Sequence, residues 1–421
     1  MDRARSLPDK NEPSLGARLR AVRALTLQLA EPLSPEDCQA QSMPDASPTK
    51  WHLAHTTWFF ETFVLRPHLP GYRAFHPRFE HLFNSYYNTV GEQYPRPQRS
   101  LLTRPLLAEV RDYRAYVDEA LERLFAAHPA DEVCVLLELG LHHEQQHQEL
   151  ILADIKHLLS ANPLEPVYRA RAPRVLGDAS AMGWFRHDGG TLEIGHDGPG
   201  FAFDNETPRH KELLQPFELA TRSVTNGEYR QFIRDGGYYA PSLWLSDGWI
   251  MAQAERWTRP LYWREACESA FTLAGEQALL ADEPVCHVSY YEADAFARWA
   301  GARLPRESEW EAVAANVPVA GNFLDSGRLH PMPAPAGNAH ALRQVYGDVW
   351  QWTQSAYAGY PGYRPPRGAV GEYNGKFMCN QFVLRGGSCV TPAGHIRPSY
   401  RNFFPPAARW QFSGIRLARD A

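Results

Sequence analysis

Residues 131–160 read DEVCVLLELGLHHEQQHQELILADIKHLLS. The run lacks proline, and apolar residues recur at three- and four-residue steps, so it predicts one long helix ending near Ser160. Its centre, Leu141–Leu150, is dense in histidine and glutamate. Positions i and i+4 share a helix face, which pairs His143 with His147. His142 is turned about 100° away from that pair. Neutral imidazoles suit Zn, Cu, Fe and Ni. The same residues spell H-E-x-x-H with Glu144 inside, the pattern of a zinc hydrolase. That pattern is short, and Glu149, Asp154 and His157 follow at no diagnostic spacing. An ordinary helix face with unligated histidines is the remaining reading.

Working outward, SPTKWHLAHTTWFFETFVL (47–65) starts with a Ser-Pro helix signal, keeps an apolar stripe and brings His52 and His55. Either could oppose the His143/His147 pair and complete a three-histidine site; spacing alone does not choose. SLGARLRAVRALTLQLAEPL (14–33) and LAEVRDYRAYVDEALERLFAAH (107–128) are also helical in pattern. Four such segments predict an antiparallel four-helix bundle over residues 14 to about 160, a fold that builds metal sites between its helices. The joining segment HLFNSYYNTVGEQYPRPQRSLLTRP (81–105) is rich in Tyr, Arg and Pro. Tyr86 and Tyr87 are candidates to donate a proton or electron near a metal. Arg96, Arg99 and Arg104 are candidates to hold a carboxylate. Plain loop packing would explain the same residues.

After ANPLEPVYRARAPRV the texture changes. Gly, Pro, Asn and Trp rise, and short strand-like pieces such as TLEIG and FVLRGGS alternate with turns. TNGEYRQFIRDG and SYYEADAFARWAG predict two short helices. The second half is therefore expected to be a loop-rich α+β domain. The formal net charge of -5 argues against a nucleic-acid partner, which would need a basic face. No apolar run approaches the roughly 20 residues of a membrane span, and the N-terminal residues show no signal-peptide core. The six cysteines are scattered without a CxxC, which favours a reducing, cytoplasmic setting.

SPTKWHLAH, HHEQQHQEL and LFNSYYNTVGEQYPRPQR resemble the DinB-like bundle of the ergothioneine-biosynthesis sulfoxide synthases. FAFDNETPRH, SVTNGEYRQFI, GDVWQWTQS, FVLRGGSC, RPSYRNFFPP and FSGIRLARD resemble the formylglycine-generating-enzyme domain, a C-type-lectin-like fold. The resemblance implies an α + (α+β) chain: a bundle over 14–170 and a lectin-like domain over 171–421. It implies Fe(II) held by His55, His143 and His147, with O2 as co-substrate, and so favours His55 over His52. It implies an oxidoreductase that joins a thiol to C2 of the imidazole of hercynine (Nα-trimethylhistidine), giving a sulfoxide. Gln146 would bind the substrate imidazole. Asn402 would meet the hercynine carboxylate, and Phe403 and Phe404, with Tyr400, offer aromatic faces for the trimethylammonium group. GGSCVTPAGHIRPSY holds one cysteine where formylglycine generators carry a pair, so that chemistry is not expected.

The thiol donor follows from the same words. Family members that use γ-glutamylcysteine place an acidic residue two after the Asn and a basic one four beyond that. Here those positions are Phe404 and Ala408, with Arg409 one further on. The expectation is therefore cysteine, its carboxylate on Arg96 or Arg99, with a selenosugar donor (a selenoneine synthase) as the alternative within the family. An ovothiol-type enzyme is not expected, because the chain ends at RLARDA without the methyltransferase domain those enzymes usually carry.

Overall fold

The computed structural model describes residues 13–170, 181–336 and 340–421. The chain forms two compact units. The first runs to Leu158 and also takes in Asp197–Phe203 and Pro366–Tyr373; the second holds the rest. The boundary expected at 170/171 abuts residues 171–180, which lie outside the described residues.

The first unit is helical: α1 Leu15–Ala30, α2 Pro35–Gln39, α3 Thr49–Phe60, α4 Arg66–His68, α5 Phe79–Phe83, α6 Leu107–Ala126 and α7 Asp131–Ser160. Ser14 caps α1 by accepting from the Ala17 amide. The expected apolar stripe on α3 is absent, because every residue of α3 is buried. A helix apolar or uncharged nearly all round belongs in a core. A π turn, Glu61–Leu65, carries α3 into α4. The buried Glu61 carboxylate in that turn accepts from Tyr72 Oη at 2.6 Å, Tyr113 Oη at 2.8 Å and the Phe75 amide at 3.0 Å.

Two features fix how α7 meets its neighbours. Glu144 lies between two guanidiniums, Arg23 of α1 at 2.9 Å and Arg114 of α6 at 2.6 Å. Arg114 also donates to the Leu53 carbonyl and Thr56 Oγ1 of α3, both at 3.0 Å. One buried ion cluster thus joins four helices. One turn earlier, a Cβ on Gly140 would stand 2.4 Å from Cε1 of Phe60 and 3.1 Å from Cδ1 of Phe59. Only glycine lets α7 approach α3 so closely there.

The second unit mixes short helices and small sheets. Its four-stranded sheet runs, in order, Asn402–Phe404, Phe382–Arg385, Trp350–Ala356, Ser413–Gly414. Val383 pairs with Phe403 and Leu384 with Asn402. A three-stranded sheet places Phe217–Ala220 between Trp184–His187 and the C-terminal Ala418–Asp420. Leu214, Phe217, Leu219, Val313 and Ala418 form a core cluster here. The helices expected from TNGEYRQFIRDG and SYYEADAFARWAG are Asn226–Arg234 and Tyr290–Trp299. Each starts with a capping box, Thr225/Glu228 and Ser289/Glu292. Gly386 of the RGGS turn has φ +99°, and a Cβ there would meet the Val345 carbonyl at 2.6 Å. No helix of the described residues is long and apolar enough to cross a membrane.

Gly140→Ala tests the α3–α7 approach. Overpacking against the buried Phe60 costs about 1–3 kcal/mol, which outweighs the helix gain of up to about 1 kcal/mol for Ala over Gly. The urea midpoint of the variant is expected to fall. An unchanged or higher midpoint would mean that the Phe60 ring yields freely.

Candidate metal centre

α3 and α7 bring His55, His143 and His147 to one buried point. One ring nitrogen of each lies within 4.8 Å of the others. His55 Nε2 and His143 Nε2 face each other at 3.2 Å. The outer nitrogens have other partners. His55 Nδ1 donates to the Phe83 carbonyl at 2.6 Å, and His147 Nδ1 lies 2.7 Å from His52 Nδ1. His143 Nδ1 is buried and unpartnered. Aromatic rings wall the site: Trp51 stacks on His55 at 4.5 Å, and Phe59 lies 4.8 Å from His143.

Burial sets the electrostatics. It pushes His55 and His147 well below the ordinary imidazole value, and the neighbouring His143 pushes both further down. Burial also lowers His143, to about 3, against an opposing pull from Glu144. Three uncharged imidazoles therefore converge with no carboxylate among them. That donor set fits a divalent transition metal, and not Ca²⁺ or Mg²⁺, which take oxygen ligands.

Glu144 does not serve this point. Burial alone would raise its pKa, but Arg114 and Arg23 bring it down to about 2. A carboxylate held by two guanidiniums is a poor general base, so the zinc-hydrolase reading lacks its base. His142 points elsewhere and stacks on Phe201 at 4.1 Å. His52, one of the two candidates in WHLAH, stands behind His147 outside the cluster.

The other candidates divide by place. Tyr86 is half-buried and stacks on the fully buried Tyr87 at 4.6 Å. Burial, then the phenols of Tyr86 and Tyr373, push Tyr87 well above the ordinary phenol value. Tyr87 packs 5.6 Å from Trp58, which itself stacks on His55. Arg96 is exposed, with its guanidinium on the Asp45 carbonyl. Arg99 is buried, 3.4 Å over the Trp51 ring, and donates to Ser47 Oγ at 2.8 Å and Ser85 Oγ at 3.3 Å. Its Nε is buried and unpartnered. Burial, then Arg96, lower its pKa well below the usual arginine value, against Asp154. Gln146 accepts from Tyr373 Oη.

Tyr373 was not singled out by sequence reasoning. Its ring meets His143 edge-on at 5.6 Å, and Glu372 beside it accepts from the amides of Asn88 and Thr89 in the Tyr86/Tyr87 loop. EYNGKF carries no periodicity, and more than 200 residues separate Tyr373 from the helix it joins. In the second unit, Phe403 stacks on Tyr357 at 4.0 Å and lies 6.0 Å from Phe377. Phe404 meets Trp410 edge-on at 5.6 Å. Asn402 Oδ1 accepts from the Phe403 amide at 2.9 Å. Tyr400 is buried with its hydroxyl 2.9 Å from His395 Nε2, so it is core and not an open aromatic face.

Residues 18–151 match the DinB superfamily, and residues 179–421 match the sulfatase-modifying factor enzyme 1-like domain. The chain is 34% identical to the hercynine oxygenase of Mycobacterium tuberculosis, over 96% of this chain and 98% of that one. It is 34% identical to the hercynine oxygenase of Mycolicibacterium smegmatis, over 97% and 99%. The formylglycine-generating enzyme of Streptomyces coelicolor is 29% identical over 58% of this chain and 90% of its own.

Burying these imidazoles uncharged has a pH signature. Unfolded histidines take up protons below about pH 6.5, whereas folded His143 does so only near 3. Between those values the unfolded state binds more protons, so stability falls as pH falls. The metal-free protein is expected to lose up to about 1.4 kcal/mol per pH unit per buried histidine below about pH 6.5. His143→Gln should flatten that slope in urea denaturation. An unchanged slope would mean that native His143 takes up the proton.

Proposed function

The chain belongs to the hercynine oxygenase family, and from that premise we propose that it is an iron(II)- and O2-dependent sulfoxide synthase acting on hercynine. The observation that carries this reading is the buried, uncharged trio His55, His143 and His147. With three protein ligands, a bound metal would keep coordination positions for a thiolate, an imidazole and O2. The overall change balances as thiol plus hercynine C2–H plus O2 giving the C–S sulfoxide plus water. A bound iron(II) would supply O2 activation and gather the reactants. On the same reading residues 14–170 are a DinB-like four-helix bundle and residues 171–421 a C-type-lectin-like domain.

The protein's residues then have defined tasks. The three imidazoles hold the metal. Gln146, with its oxygen on Tyr373 Oη, would turn its amide N–H groups to an imidazole acceptor. Asn402 would meet the hercynine carboxylate, and Phe403 and Phe404 its trimethylammonium group, by cation–π attraction. Tyr86 and Tyr87 supply a phenol proton at the step that decides between coupling and oxidation of the thiol alone. Arg99, a buried cation stacked on Trp51 and short of partners, suits a carboxylate better than the exposed Arg96.

We assign cysteine as the thiol donor. The residue two after Asn402 is Phe404, which offers no partner to a glutamyl ammonium, and burying that charge unpaired would cost several kcal/mol. Ala408 stands at the basic position. Arg409 is held by Glu292 at 2.8 Å and lies 4.4 Å over Trp257, which supports the reading because its charge is already matched.

His143→Ala should lose most bound iron by metal analysis, and full occupancy in that variant or in His55→Ala would refute the metal site. Competition between cysteine, γ-glutamylcysteine and a selenosugar at fixed hercynine should favour cysteine in kcat/KM. A preference for γ-glutamylcysteine would refute the role given to Phe404, and one for the selenosugar would make the enzyme a selenoneine synthase.

The double variant Tyr86→Phe/Tyr87→Phe should slow coupling and shift product toward the sulfinate of the thiol. An unchanged product ratio there, with a shift in Tyr373→Phe, would move the proton-donor role to Tyr373.

A further inference from the structure

We infer that Asp154 and His52 form a hydrogen-bond relay that fixes the tautomer of His147 and so turns its Nε2 lone pair to the metal; this rests on the metal site proposed above. The relay is built from short, buried contacts. His52 Nε2 lies 3.1 Å from Asp154 Oδ2, and His52 Nδ1 lies 2.7 Å from His147 Nδ1. All three side chains are buried.

The proton positions follow from valence. A carboxylate oxygen only accepts, so His52 carries its proton on Nε2. The Nδ1 of a neutral His52 is then a bare acceptor. A separation of 2.7 Å between two imidazole nitrogens requires one proton between them, which must come from His147 Nδ1. His147 is left with Nε2 free of a proton and able to ligate. His55 reaches the same state by a shorter route, its Nδ1–H donating to the Phe83 carbonyl.

Asp154 is itself fixed. The same Oδ2 accepts from the Ser47 amide at 2.8 Å, at the start of α3. The relay therefore runs from the backbone that begins α3, through α7 and back to α3, to a ligand on α7. His52 and Asp154 are positioning residues: they act through His147. Groups that orient a ligating histidine in this way typically change metal affinity by about 10- to 100-fold when lost.

The first test needs neither metal nor variant. In the full-length, metal-free protein labelled with 15N-histidine, long-range 1H–15N correlation reads each ring's tautomer. His52 is expected protonated on Nε2 and His147 on Nδ1. A proton on His147 Nε2 overturns the relay. The second test is Fe(II) or Co(II) binding under anaerobic conditions. His52→Leu should weaken binding about 10- to 100-fold, and His52→Asn, whose Oδ1 can stand near the lost ring Nδ1, should recover most of it. A Leu variant that binds as tightly as the parent overturns the relay, and so does an Asn variant no better than a folded Leu variant. If the Leu variant does not fold, the tautomers of the parent protein decide. A parent that binds no metal but shows the expected tautomers would refute the metal site and leave the relay standing.

Discussion

The helical unit depends on the ion cluster of Glu144 with Arg23 and Arg114. Glu144 follows His143 by one residue, so its side chain points about 100° around the α7 axis from the histidine face. Anchoring Glu144 toward α1 and α6 sets the rotation of α7, and that rotation turns His143 and His147 toward His55. Gly140 sets the depth, because the Phe60 ring fills the space a side chain would need. Burying three charges is costly, and leaving one unpaired costs about 3–5 kcal/mol. The cluster therefore contributes more to a single defined arrangement than to net stability.

The surroundings of the three histidines favour the uncharged imidazole. Trp51, Trp58 and Phe59 pack against them, and burial lowers their pKa values, so each ring keeps one proton and carries no charge. On the reading proposed above, a dication held there by neutral imidazoles would keep its charge and attract anionic reactants. Arg99 places a buried guanidinium on the same Trp51 that covers His55. Tyr86, Tyr87 and Tyr373 gather beside it, tied together by Glu372 through the Asn88 and Thr89 amides.

Much was legible from the chain because helix periodicity is local. The i,i+4 spacing of His143 and His147, the extent of α7 to Ser160, and the two short helices Asn226–Arg234 and Tyr290–Trp299 all follow from residues a few positions apart. Family words added what spacing left open, His55 over His52. The expected stripe on α3 failed for a physical reason: a helix surrounded on all sides has no polar face to reveal.

The sequence by itself determined the helix carrying the histidine pair, the change of texture after the helical unit, and the family. Those signals reside in short windows where side-chain spacing and turn chemistry act directly. Only the tertiary structure decided that Glu144 is an anchor and no base, that His52 stands behind His147, that Arg99 is buried while Arg96 is exposed, and that Tyr373 reaches Gln146. Each of these depends on which way a side chain faces once distant segments pack. Burial and pairing across a hundred or more residues set that direction, and no local pattern encodes it.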